Sequence, residues 1–265
     1  MKLKLKTYSL LGIAGVILVI WLLNTPPGLL GKTDAIGYAV CHQIEHRTFH
    51  IADRPISLCA RCTGQYLGAV LAILYAGLIG KHRTGWPAKK ALALLGIFVL
   101  AYGIDGTNSY LHFYPNLDKF YLYEPNNTLR LLTGTGMGLV MGLGTWHIFQ
   151  EVIWKKENDV PVLSGFWQWS VLLLLALGID GLVLTENPLL LYLLTIISAF
   201  GVLGILTLLY TLIWVIIFRA ENSFEHLRNL VWLLAAGFIT AMLQIGALDL
   251  VRYLVTGTWA GFHLG

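Results

Sequence analysis

Residues 189–218 read LLLYLLTIISAFGVLGILTLLYTLIWVIIF, thirty positions without one charged side chain. A helix of roughly 20 apolar residues crosses a hydrocarbon core of about 30 Å, so this stretch spans a membrane with length left over to tilt or project. Working outward from it, apolar length and polar punctuation place six more spans, at Tyr8–Leu23, Gly64–Gly80, Ala91–Tyr110, Leu129–Ile153, Phe166–Leu184 and Leu230–Val255. The expected fold is all-α, a polytopic transmembrane bundle of about seven helices forming a single integral membrane domain over residues 1–265. Composition agrees: 57 % of the 265 residues are hydrophobic and only 12 % are charged, far from a soluble domain.

The formal charge of +4 reflects membrane topology, and nucleic acid is excluded as a partner. Membrane lipids are the expected partners; the sequence does not set an oligomeric state. Lys2, Lys4 and Lys6 precede an apolar run that ends in Asn24-Thr25-Pro26-Pro27 with no small-residue cleavage site, so the run reads as a retained first helix. Lys81, Arg83, Lys89, Lys90, Lys155, Lys156, Arg219 and Arg228 fall on the same side as the N-terminus when the chain crosses seven times. That side is the cytoplasm of a cell membrane. The loop over residues 24–63 and the C-terminus are then expected outside, together with Lys32, Arg47, Arg54, Arg61, Lys119, Arg130 and Arg252.

An internal repeat is visible. Gly103-Ile104-Asp105-Gly106 recurs as Gly178-Ile179-Asp180-Gly181, and Glu124 and Glu186 each precede a threonine, Thr133 or Thr195, by nine positions. The stretches 91–153 and 166–218 therefore read as a duplicated helical hairpin. Gly134, Gly136, Gly138, Gly142 and Gly144 give the helix between 129 and 153 a small-residue face for close packing. No nucleotide fingerprint, serine elbow or soluble domain is present.

The chemistry is concentrated between Cys41 and Gly64, which holds all three cysteines of the chain, His42, His46 and His50, and Arg47, Arg54 and Arg61. A C-x-x-C turn aims two sulfurs at one point, so Cys59 and Cys62 with Cys41 and His42 form a candidate zinc set, with His50 as the alternative fourth ligand. Two other readings use the same thiols. One is a redox pair exchanging electrons with a quinone, favoured by the helix start that follows Cys59. The other is an inert disulfide with a spare thiol.

Arg47 and Arg61 flank these sulfurs, and guanidinium forks match the phosphates of lipid headgroups; the alternative is that they pair with Asp53, Glu45 or the intramembrane acids. Asp105 and Asp180 would each cost about 2.5–3.5 kcal/mol facing lipid at mid-membrane, so they should face the interior. With Asn108 and Arg130 they define a candidate polar pocket: Asp105, Arg130 and Asp180 as catalytic groups, Arg47, Arg61 and Asn108 as substrate-binding ones. Arg130 is the expected partner of one of the two carboxylates; the alternative to a pocket is that these groups merely brace the hairpins.

The segments Cys41-His42-Gln43, Arg47-Thr48-Phe49 and Cys59-Ala60-Arg61-Cys62-Thr63-Gly64, then Asp105-Gly106 and Asn126-x-x-x-Arg130-x-x-Thr133-Gly134, resemble the bacterial and archaeal membrane proteins grouped as DUF2085. The resemblance covers about residues 38–145. It departs at Thr48, where serine is usual, and in a longer loop after Asp105. It implies a membrane location and a paired-cysteine motif, and it supplies no reaction. Three functions stay open on the residues: a metal-dependent enzyme acting on a lipid or headgroup, a transporter or channel built on the repeat, and a membrane thiol–disulfide oxidoreductase.

Overall fold

The structure, a computed structural model, describes residues 2–80, 83–113, 120–155 and 158–261. All seven expected spans are helical: α1 (Lys2–Asn24), α3 (Ala60–Ile79), α4 (Lys89–Phe113), α5 (Asn127–Ile153), α6 (Phe166–Leu184), α7 (Pro188–Ile217) and α8 (Leu227–Thr256). Lys81, Lys119 and Lys156, used above to set the orientation, lie outside the described residues.

Residues 24–63 hold more structure than a loop. They contain an eighth helix, α2 (Gly28–Val40), and an antiparallel ladder of β1 (His50–Ile51) with β2 (Arg54–Pro55), His50 opposite Pro55. Gly28, Gly31, Gly37, Thr33 and Asp34 are weak helix formers, so local propensity hides α2. Burial forms it: Ala35, Ile36 and Tyr38 are sealed against α7 and α8. At the opposite end of the bundle, β3 (Arg83–Gly85) pairs in parallel with β4 (Asn158–Pro161) and ties two connecting segments together.

The central contact is α3 against α5. A Cβ on Gly134 would stand 2.1 Å from the Arg61 carbonyl oxygen, and one on Gly138 would stand 2.1 Å from that of Gln65. Backbone meets backbone here, which only glycine permits. Around this pair pack α4, α6 and α7; α8 lies on α7, and α1 lies on α8.

Among the described residues, α1, α3, α4, α6, α7 and α8 are long and apolar enough to cross a membrane. The exception is α5, whose glycines and threonines lower its hydropathy and which packs against α3, α4, α6 and α7 while leaving Leu129, Leu132 and Ile148 exposed. Asparagines start the second helix of each hairpin: the Asn126 side chain accepts the Leu129 N–H at 2.9 Å, and Asn187 accepts that of Leu189 at 3.1 Å.

Candidate metal centre and its arginine flank

Two helix ends deliver the three thiols. Cys41 terminates α2 in an extended conformation, Cys59 is the residue before α3, and Cys62 stands in its first turn. The chain between them is pinned at several points. Gln43, at φ 51°, turns the backbone so that its amide donates to the carbonyls of Asp34 at 3.1 Å and Ser57 at 2.9 Å. Ser57 donates to Thr33 and Asp34, both at 2.7 Å, and Asp34 pairs with Arg54. From α8, Arg252 donates to the carbonyls of Tyr38 and Cys41 at 2.6 Å and of His42 at 3.3 Å.

The result is that the sulfurs of Cys41, Cys59 and Cys62 lie within 4.8 Å of one another, with Cys41 and Cys59 buried. The Cys59 N–H donates to Cys41 Sγ at 3.3 Å. Of the three thiols, Cys59 is the one most readily deprotonated. Hydrogen bonds from Cys41, Cys62 and His42 hold its pKa well below the usual thiol value, and it stands at a helix N-terminus. Cys41, hydrogen-bonded to Cys59 and buried, is pushed up to about 12.

The two histidines of the candidate ligand set stand differently. His42 lies beside Cys59, and its Nδ1 accepts the Ile44 N–H at 3.0 Å. His50 sits half-buried on β1. Neither joins the three sulfurs in the mutual 4.8 Å cluster.

Arg47 and Arg130 stand within electrostatic reach of Cys59. Arg61 takes Asp105: its Nε donates to Oδ2 at 3.0 Å, a terminal nitrogen pairs with the same oxygen, and that nitrogen also donates to the Asp105 carbonyl at 3.1 Å and to Ser109 at 2.9 Å. Tyr123 completes the carboxylate through Oδ1 at 2.9 Å, and Thr133 donates to Oδ2 at 3.3 Å. Arg130 is therefore not the partner of Asp105. It donates to Asn127 at 2.9 Å, and its Nε is buried with no hydrogen-bond partner. Asn127 in turn donates to the His46 carbonyl at 3.3 Å, drawing the Arg47 segment to the start of α5. The three guanidiniums feel one another. Arg47 is lowered by its burial and by Arg61, and the His46 imidazole is lowered by burial and then by Arg47 and Arg130.

The rest of the expected pocket is dispersed. Asp180 accepts from Thr135 at 2.6 Å, while Asp105 accepts from Thr133. Two residues along a helix are about 200° apart, so the two aspartates meet opposite sides of α5. Asn108 is consumed by structure: it donates to the Tyr123 carbonyl at 2.8 Å and accepts the Leu122 and Tyr123 N–H groups. Sequence reasoning missed Tyr123, Ser109, Thr133 and Arg252 as site-building residues. The Asp105–Ser109 spacing of one helical turn was the available signal for Ser109; the others reach the site only through folding.

Comparison with known proteins follows the same boundaries. The family described as predicted membrane protein (DUF2085) matches residues 41–144, which include every thiol and all three arginines of the flank. An uncharacterized protein of Methanothermobacter thermautotrophicus is 38% identical over 104 residues, covering 38% of this chain and 82% of its relative. An uncharacterized protein of Methanocaldococcus jannaschii is 29% identical over 122 residues, covering 46% of this chain and 71% of that protein. No solved structure matches the chain.

Proposed function

The chain belongs to the DUF2085 family of predicted membrane proteins, and on that premise we propose that Cys41, Cys59 and Cys62 hold one thiophilic metal ion, zinc by ligand type, in an outward-facing site for anionic lipid headgroups. The observation that carries the reading is the mutual 4.8 Å limit on the three sulfurs. Zinc–sulfur bonds of about 2.3 Å place tetrahedral sulfurs about 3.8 Å apart, so the trio needs to draw in by only about 1 Å.

The surroundings favour three protein ligands and one open position. An imidazole that accepts at Nδ1 carries its proton at Nε2. His42 is thus suited to donate to the Cys59 thiolate rather than to ligate, a supporting role common around metal sites. A site with an exchangeable fourth position is catalytic in style, and a zinc ion there supplies a polarising charge for an ester or phosphate oxygen. Arg47, Arg61 and Arg130 then receive the anionic group, Arg61 being held in place by Asp105. Asp105 accepts from Arg61, Tyr123 and Thr133, so its task is orientation and not proton abstraction. Asp180 serves the α5–α6 contact from the far side of α5.

The depressed Cys59 thiol favours one rival, thiol–disulfide exchange at the same sulfurs. Metal content and free-thiol counting separate the two, on protein purified anaerobically without chelator. About one zinc per chain is expected, with thiols that react only after denaturation in chelator and with loss of zinc in Cys41→Ser, Cys59→Ser and Cys62→Ser. A metal-free protein with a Cys59–Cys62 disulfide overturns the metal reading. The headgroup step fails separately if Arg47→Ala and Arg130→Ala keep zinc and leave turnover of short-chain phospholipids unchanged.

A further inference from the structure

A cavity of about 750 Å³ lies between α1 and α8, and no cysteine lines it. Its long wall is apolar, formed by Ile17 and Ile20 of α1 and by Leu243 and Gly246 of α8. One end is different. Trp21, Tyr253 and Trp259 close it, with Trp259 5.6 Å from Tyr253 ring to ring, and Asp249 faces the same space.

Asp249 is only 4% exposed, and its two oxygens are unequal. Oδ2 accepts the Trp21 indole N–H at 3.2 Å, while Oδ1 has no hydrogen-bond partner. Arg252 acts on this carboxylate through its charge and Lys32 Nζ lies 6.0 Å from the centre of the Trp21 ring, but the hydrogen bonds of both cations go to other groups. Arg252 donates to the carbonyls of Tyr38, Cys41 and His42, and Lys32 donates to the carbonyls of Leu22 and Thr25 and to the Thr25 hydroxyl. A carboxylate within a membrane helix is costly and calls for a partner, and a buried acceptor left unmet adds to that cost.

We propose that this cavity binds an amphiphile with an ammonium head, its nitrogen on Asp249 Oδ1 and its tail along the α1–α8 wall. Three features select this class. The free oxygen requires a donor, and an ammonium offers the strongest one together with the opposite charge. Trp21, Tyr253 and Trp259 line this end, and aromatic rings attract cations through their quadrupoles. A bare calcium or magnesium ion needs about six oxygens, whereas the cavity offers Asp249 and the side chains of Asn24 and Thr25. The apolar wall suits a hydrocarbon tail, since α1 has most of its surface turned to lipid. The site uses none of the cysteines and stands independently of the metal reading.

The test is calorimetric titration of the full chain in a neutral maltoside detergent with dodecylammonium and with dodecanol, each corrected for partition into empty micelles. At least ten-fold tighter binding of dodecylammonium is expected, with that preference lost in Asp249→Asn. Gly246→Leu is a second variant: a Cβ there meets no atom within 4 Å, so the side chain fills the cavity without displacing the helix, and it should abolish binding of both compounds. Equal affinity of the wild-type chain for the amine and the alcohol overturns the proposal without reference to any variant. An ammonium preference that survives Asp249→Asn in a protein with unchanged melting temperature overturns it as well. Dioctanoylphosphatidylethanolamine then distinguishes the sources. Binding of it, and not of the phosphatidylglycerol analogue, assigns a lipid headgroup; binding of dodecylammonium alone assigns a free cationic amphiphile.

Discussion

Arg61 and Asp105 show how one pair can organise a site. The carboxylate is 1% exposed and the guanidinium 18%, so removing either partner strands a charge in a poorly solvated place. Asp105→Ala is expected to destabilise the protein by about 3–5 kcal/mol, read from unfolding in detergent. The double substitution Arg61→Met with Asp105→Leu should recover much of that loss, because neither charge then remains; a double variant as unstable as the sum of the singles would refute the pairing account. His42 makes a different prediction. His42→Ala should weaken zinc binding about 10–100-fold while leaving one ion per chain, measured by competition with a chromogenic chelator; loss of the stoichiometric ion would make His42 a ligand. The sequence offered Arg130 as a partner for one of the carboxylates and left Arg61 open between a lipid phosphate and an acid, Asp53, Glu45 or an intramembrane aspartate. Partnership depends on how α3, α4 and α5 face one another, and helices apolar on all sides leave no periodicity from which to read that facing.

At the scale of the element, α5 is set apart by its run of glycines and threonines and by its packing against α3, α4, α6 and α7. Its glycines were legible as a packing face, and the structure identifies α3 as the surface they meet. Gly138→Leu places a side chain into the Gln65 carbonyl, a backbone atom that cannot step aside, so a loss of about 1–3 kcal/mol or more is expected. Gly103→Ala in α4 is the control. Its Cβ meets no atom within 4 Å, and its effect should stay within about 1 kcal/mol, neutral or stabilising. Equal losses in the two variants would mean that the α3–α5 contact is not the tight one. The helix α2 was illegible for the opposite reason: its glycines, Thr33 and Asp34 argue for a loop, and contacts with α7 and α8 outweigh them.

For the whole molecule, the positive residues Lys6, Arg83, Lys89, Lys90, Lys155, Arg219 and Arg228 predict a cytoplasmic N-terminus, with the cysteine trio and the C-terminus outside. A phosphatase reporter that folds only outside the cytoplasm should be active when fused after Gly261, and inactive when inserted at Glu221 between α7 and α8. The reverse pattern would invert the orientation. The family match ends at residue 144, inside α5, so α6, α7 and α8 lie beyond the matched segment. They nonetheless touch the site, since α7 packs on α3 and Arg252 of α8 holds the carbonyl of Cys41.

The sequence by itself determined that this is a helical membrane protein, because apolar length against bilayer thickness is a local property. It also determined which segment carries the chemistry, because cysteine, histidine and arginine are conspicuous in an apolar chain. Only the tertiary structure decided that Cys41 joins Cys59 and Cys62, that Arg61 takes Asp105, and that Asp180 faces away from both. Each of those outcomes depends on which helix faces meet, and a solvent as apolar as the core leaves that choice to packing and to polar pairing.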